Sequence, residues 1–143
     1  MAGAEILKPF FGMMLLTLVV WLYMYVRRLR YIFSEGVDAQ AISTPERLAR
    51  RIPEEINNAS NNLKNLFELP VLFYAVCLYL LISGTANSTD VGLAWAFLCF
   101  RIVHSAIQCT LNRVHLRSGA YLLASLALWA LVLRNALAVF GQA

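Results

Sequence analysis

The sequence predicts an all-α membrane protein, an antiparallel bundle of four transmembrane helices. Three observations lead there. Of 143 residues, 60% are hydrophobic and 14% charged, with a mean hydropathy of +0.64, whereas soluble domains are about half apolar and a quarter charged. The apolar residues gather into four runs, and four spans of roughly 20 residues each plus connections use the whole length. The basic residues fall almost entirely between alternate runs, as membrane orientation requires. A single four-helix domain over residues 1–143 is expected, with helices at about 6–32, 54–83, 90–112 and 116–140.

The first run, Phe10 to Val26, ends at Arg27, Arg28 and Arg30, with Trp21, Tyr23, Tyr25 and Tyr31 as an aromatic belt near that end. The connection that follows has structure of its own. Thr44-Pro45-Glu46 has the residues of a helix N-cap followed by proline at the first helical position, so "PERLARR" reads as a short surface helix. Pro53-Glu54-Glu55 repeats the signal for the second long helix. Its apolar part, Leu69 to Ile82, is too short to span about 30 Å of hydrocarbon. The helix must therefore run back through the polar stretch "NNLKNLFELP", with Pro70 introducing a kink. "SGTANSTD" is a turn-rich link to the third run, Val91 to about Leu111, and "NRVHLRSG" a short link to the fourth, Arg117 to Phe140, in which Arg134 can snorkel.

Seven basic residues lie between Arg27 and Lys64, and Arg113 and Arg117 sit in the third-to-fourth link. The positive-inside rule then places both of those connections in the cytoplasm and both termini outside it. The net charge of +4 answers this rule rather than nucleic-acid binding. Cys77, Cys99 and Cys109 lie in apolar runs without CxxC spacing and read as small core residues, so no metal site is expected. "MAGAEILKPF" lacks a basic region ahead of the apolar run, so no cleavable signal peptide is expected.

Burying an unsatisfied neutral polar group costs on the order of 2–7 kcal/mol, so the polar residues inside these runs need an explanation. On helices they form stripes. Asn58, Asn61, Asn65 and Glu68 recur at steps of three and four, as do Arg101, His104, Gln108 and Asn112, while Arg117, Ser118, Tyr121 and Ser125 share one broad face. Chain topology brings all three stripes, and Arg28, to the cytoplasmic half. Intramembrane charges face the bundle interior or a wet cavity and are functional-site candidates. A cavity rich in arginine, with Glu68 and several amides, suits a ligand carrying carboxylates and an ammonium group. The simpler alternative is that the asparagines and serines only join helices and that Glu68 pairs with Arg101 or Lys64; it fits Asn58 and Ser125 best.

These residues resemble the MAPEG family, membrane-associated proteins of eicosanoid and glutathione metabolism, and its bacterial members in particular. "NLFELP" is similar to the family's second-helix pattern, "RIVHSAIQ" to its third-helix arginine and histidine, and "RSGAY" to the start of the fourth helix in the prostaglandin E synthase branch, whose first helix ends much as "RLR" does here. The resemblance implies a homotrimer of four-helix protomers in a bacterial inner membrane. It also implies glutathione bound between subunits towards the cytoplasm. It assigns Arg28, Asn65, Glu68, His104, Arg117, Ser118 and Tyr121 to glutathione, with Arg117 stabilising the thiolate and Ser118 assisting; Arg28 and Lys64 can hold its carboxylates, and Arg101 and Gln108 stand in the third-helix stripe. Gln108 occupies the position of a tyrosine in the prostaglandin branch and Lys64 that of an arginine, which points away from eicosanoid substrates. The expected activity is glutathione transfer to, or peroxide reduction of, lipophilic electrophiles from the bilayer. The alternative is a non-catalytic trimeric scaffold that uses the same cavity for a lipid or a partner.

Overall fold

The computed structural model describes residues 2–141. Helix α1 (Ala2–Glu5) leads into α2 (Leu7–Ser34), and the two form the first span. A 3-10 turn at Ala39–Ile42 and α3 (Pro45–Arg51) occupy the connection. The Thr44 side chain accepts from the Arg47 N–H at 3.3 Å and Pro45 opens the helix, the cap chemistry its sequence announces. The second span is made of α4 (Glu54–Asn65) and α5 (Leu69–Ser83), the third is α6 (Ser88–Cys109) and the fourth α7 (Val114–Phe140). All four are long and apolar enough to cross a membrane. Their outward faces carry Leu15, Val19, Ile82, Leu126 and Leu133, each more than half exposed, a surface that water would not tolerate and acyl chains do.

The helices pack around a buried core in which Phe73 of α5 stacks on Phe97 of α6 at 4.7 Å between ring centroids. Helix α6 packs most extensively on α7, as the short link between them requires. At Gly12 the first span comes so close to the third that a Cβ would sit 2.5 Å from Leu98 Cδ2, the close approach for which small residues are used in membrane bundles.

Three sequence expectations are corrected. The third helix starts earlier, because Asn87 and Asp90 form a reciprocal capping box, and it ends at Cys109 rather than near 112. Its end is turned by Thr110, whose hydroxyl donates back to the Ala106 carbonyl (2.6 Å), and by Asn112, which adopts a left-handed φ of 46°. Arg134 does not snorkel freely: its Nε donates to Asp90 Oδ1 at 3.1 Å, and Asn135 donates to the same oxygen at 3.1 Å. Cys99 is exposed on the outer face of α6, whereas Cys77 is buried in the core.

Asp90 is fully buried and Arg134 nearly half exposed. The two partners are therefore unequal: an orphaned Arg134 can reach polar surroundings, an orphaned Asp90 cannot. Arg134→Ala is expected to destabilise the protein by about 3 kcal/mol, and adding Asp90→Asn to recover part of the loss. Thermal unfolding of the two variants in detergent checks this, and equal or greater loss in the double variant contradicts it.

Candidate functional site

The second span is interrupted rather than merely kinked. Helix α4 ends at Asn65, Leu66 and Phe67 form a turn, and α5 restarts behind Glu68, whose φ of −98° and ψ of −101° are not helical. Pro70 explains the interruption, since it has no N–H for the Leu66 carbonyl and its ring crowds the preceding turn. In an intact helix the Asn65 carbonyl would accept from the Leu69 N–H. Here it accepts from Arg101 Nη2 at 2.7 Å. Arg101 is fully buried, its guanidinium lies 5.4 Å from the Tyr121 ring centroid, and its Nε and Nη1 have no partner among the described residues.

Glu68, turned out of the helical path by this break, lines a cavity of about 240 Å³ together with Asn65, His104, Gln108, Arg117, Ser118 and Tyr121. Three spans meet there. A chain of polar contacts fixes the wall: Asn65 Nδ2 donates to Gln108 Oε1 (3.2 Å), His104 Nε2 lies 2.8 Å from that same oxygen, and His104 Nδ1 donates to the Arg117 carbonyl (2.8 Å). The Tyr121 ring packs against His104 with centroids 5.5 Å apart. One nitrogen of Arg117 donates to the Asn112 side chain, which in turn donates to Asn58 Oδ1 at 3.1 Å, so the link between α6 and α7 holds the guanidinium in place.

Ten residues stand as candidates on sequence grounds, and seven of them line this cavity. Arg101 does not; it acts on the cavity wall from behind, through Asn65 and Tyr121. Arg28 and Lys64 line a different cavity, of about 350 Å³, with Ser60 and Asn61, where Arg28 Nη2 donates to Ser60 Oγ at 3.2 Å. Within one chain the cationic ends are therefore divided between two places. Glu68 forms no direct ion pair among the described residues, although the buried Arg101 guanidinium is near enough to interact with its charge. Asn61, Lys64 and Glu68 are each exposed within a membrane-spanning segment, the first two at one cavity and Glu68 at the other.

Two sets of polar residues were not anticipated. Fully buried Asn62 donates to Cys109 Sγ (3.4 Å) and accepts from Ser105 Oγ (3.3 Å), joining the second and third spans. Its spacing of four from Asn58 was the available signal. At the far end, the stretch read as a turn-rich link holds Asn87 and Asp90, and the pairing of Asp90 with Arg134 was not expected. Ser125 bonds its own helix, at the Tyr121 carbonyl (2.8 Å), rather than a neighbour.

Pro70→Ala returns an N–H to the Leu66 carbonyl. It is expected to let the second span close up, so that backbone amides of residues 68–71 exchange with solvent at least tenfold more slowly. Hydrogen exchange read by mass spectrometry checks this; unchanged exchange contradicts the role given to the proline.

No curated protein and no solved structure matches the chain at a significant level. A profile of the MAPEG family matches residues 6–137, which takes in all but the outer ends of the first and fourth spans and every candidate residue. MAPEG proteins are associated with glutathione and have transferase, peroxidase or related roles at membranes. The chain is an integral, multi-pass membrane protein and belongs to the MAPEG family.

Proposed function

We propose that the protein is a glutathione-dependent transferase or peroxidase acting on lipophilic electrophiles or lipid hydroperoxides that enter from the bilayer. The observation that carries this reading is the single cavity in which Glu68, a carboxylate without an ion-pair partner among the described residues, faces the same space as Arg117 and Ser118. Glutathione has a complementary pattern: an ammonium group for Glu68, carboxylates for cations and amides, and a thiol. A thiol with a pKa near 8.5 is mostly protonated at neutral pH, and an adjacent guanidinium favours the anion that attacks electrophiles. Arg117 takes that role, with its main-chain carbonyl and side chain both held by neighbours, and Ser118 supplies a hydroxyl beside it. His104, Gln108, Asn65 and Tyr121 shape the wall and offer hydrogen bonds.

The site is completed by a second copy of the chain, in a homotrimer. A cavity of about 240 Å³ is below the roughly 300–1,000 Å³ of most small-molecule sites, and the exposed Asn61, Lys64 and Glu68 are unsuited to lipid contact. Joining the Arg28 and Lys64 pocket of one protomer to the Glu68 and Arg117 cavity of the next removes both difficulties. The carboxylates of glutathione would then meet Arg28 and Lys64, Arg28 by a forked contact and Lys64 as a point charge. In the cell we place this site towards the cytoplasm of a bacterial inner membrane, where the cation bias orients it.

Arg117→Ala is expected to lower turnover of a test aryl halide by about 100-fold at unchanged protein level, and to move the acid limb of the rate profile to higher pH. The sign follows from the thiol: losing the nearby positive charge raises its pKa, so less thiolate is present at neutral pH. Wild-type turnover in the variant contradicts the assignment, and absence of any thermal stabilisation by millimolar glutathione in the wild type favours a non-catalytic scaffold instead.

Composite sites make a second prediction. Co-expressing an Arg28→Ala/Lys64→Ala chain with a Glu68→Gln/Arg117→Ala chain yields mixed trimers in which some interfaces pair two intact halves. Activity in the mixture, measured against either variant alone, should reappear; a mixture as inactive as its components contradicts a site shared between subunits.

A further inference from the structure

A further cavity lies on another face of the bundle, between the first and third spans. Leu16, Val19 and Val20 of α2 and Ile102 and Ala106 of α6 line an almost wholly apolar groove of about 320 Å³. The groove ends at Tyr23, whose hydroxyl donates to the Cys109 carbonyl at 3.3 Å. Tyr23 also belongs to a second, wider cavity of about 830 Å³, lined by Arg27, Arg30, Tyr31, Ser34 and Ile56. The two cavities share Tyr23 and adjoin along one face of α2, on which residues 16, 19, 20, 23, 27, 30, 31 and 34 recur at helical spacing. The apolar part, residues 16–23, measures about 10 Å along the axis and the basic part, residues 23–34, about 16 Å, at 1.5 Å per residue.

The charge in the wider cavity is uncompensated. Its lining contains two arginines and no carboxylate, and neither Arg27 nor Arg30 forms an ion pair among the described residues. Arg27 donates one terminal nitrogen to the Tyr23 hydroxyl at 2.9 Å and lies 5.6 Å from that ring's centroid, which leaves the rest of its guanidinium facing the cavity. An apolar channel in the membrane that opens onto a basic pocket at the membrane boundary has the polarity of a lipid with an anionic headgroup. Basic residues clustered just beyond a transmembrane helix attract such lipids.

We propose that these two adjoining cavities form a binding site for an acidic phospholipid, with an acyl chain along Leu16, Val20, Ile102 and Ala106 and the phosphate at Arg27 and Arg30. A phospholipid is favoured over a free fatty acid because the basic pocket is much larger than a carboxylate needs and offers two guanidiniums rather than one. The site is distinct from the Glu68 and Arg117 cavity, shares no lining residue with it, and stands whether or not glutathione binds there.

The test uses delipidated, detergent-solubilised full-length protein, with phosphatidylglycerol, phosphatidylcholine of the same chains, or oleate added. Thermal unfolding reports stabilisation, native mass spectrometry counts retained lipid and protomers, and the shift produced by glutathione is measured in parallel. Phosphatidylglycerol is expected to stabilise more than phosphatidylcholine, and Arg27→Gln/Arg30→Gln to weaken its apparent affinity by about tenfold. Arg47→Gln/Arg50→Gln, which removes the same charge outside the pocket, should keep the preference. Ala106→Trp, which fills the groove, should weaken retention of either phospholipid while leaving the glutathione shift unchanged. Equal stabilisation by the two phospholipids overturns the proposal, as does an undiminished preference in the Arg27/Arg30 variant. Oleate matching phosphatidylglycerol overturns the phospholipid assignment, and a change of oligomeric state in Ala106→Trp without change in lipid retention shows that a second copy fills the groove instead.

Discussion

The structure depends on one buried interaction, the hydrogen bond from Arg101 to the main-chain carbonyl of Asn65. Hydrocarbon has no water to satisfy a broken helix, so a span interrupted at mid-length is stable only where another group takes over the freed backbone. Pro70 creates the interruption and Arg101 answers it. The same guanidinium lies over Tyr121, so the second, third and fourth spans are tied together at the depth where the candidate site begins. Glu68 reaches that site because the backbone leaves its helical path one residue before α5. The proline, the arginine and the carboxylate thus form one device, and each is costly without the others.

Polar groups at the two ends of the bundle are handled differently. At the Asp90 end, both carboxylate oxygens have donors: Arg134 and Asn135 on one, the Asn87 N–H on the other. That cluster is closed and serves packing. At the other end, Glu68 is exposed without an ion pair among the described residues, and the cations Arg28, Lys64 and Arg117 are spread over two separate cavities. An end that is electrostatically incomplete in one chain is a place where a charged ligand or a neighbouring chain contributes to stability. The contrast matters because satisfied polar networks in membranes are ordinary helix–helix contacts, whereas unsatisfied ones mark function.

Much of the fold is legible in the sequence because membranes simplify the code. Apolar run length gives the four spans, and Thr44-Pro45 and Pro53-Glu54 give two of the helix starts to the residue. The stripe argument also anticipates a convergence: Asn65 and Glu68, His104 and Gln108, and Arg117, Ser118 and Tyr121 meet from three helices on one cavity. What periodicity misses is what depends on a break in periodicity. Asn112 sits one turn beyond Gln108 in an ideal helix, yet the helix has ended and a left-handed residue aims its amide at Arg117 and Asn58. Arg101 shares a stripe with His104 and Gln108, yet its long side chain reaches a backbone carbonyl behind the cavity wall. Lys64 and Asn65 are adjacent in sequence, so a helix turns them about 100° apart, and they line different cavities.

The account makes Arg101 a positioning residue: it contacts the candidate cavity through the Asn65 carbonyl and the Tyr121 ring, and so fixes where both stand. Its most direct test is the glutathione affinity of Arg101→Met, determined by calorimetric titration of protein whose helical content matches the wild type. The account predicts affinity roughly tenfold lower or worse, since small displacements of a binding constellation carry large penalties. Wild-type affinity in that variant would contradict it, because the broken span and the site it shapes would then not depend on the buried guanidinium.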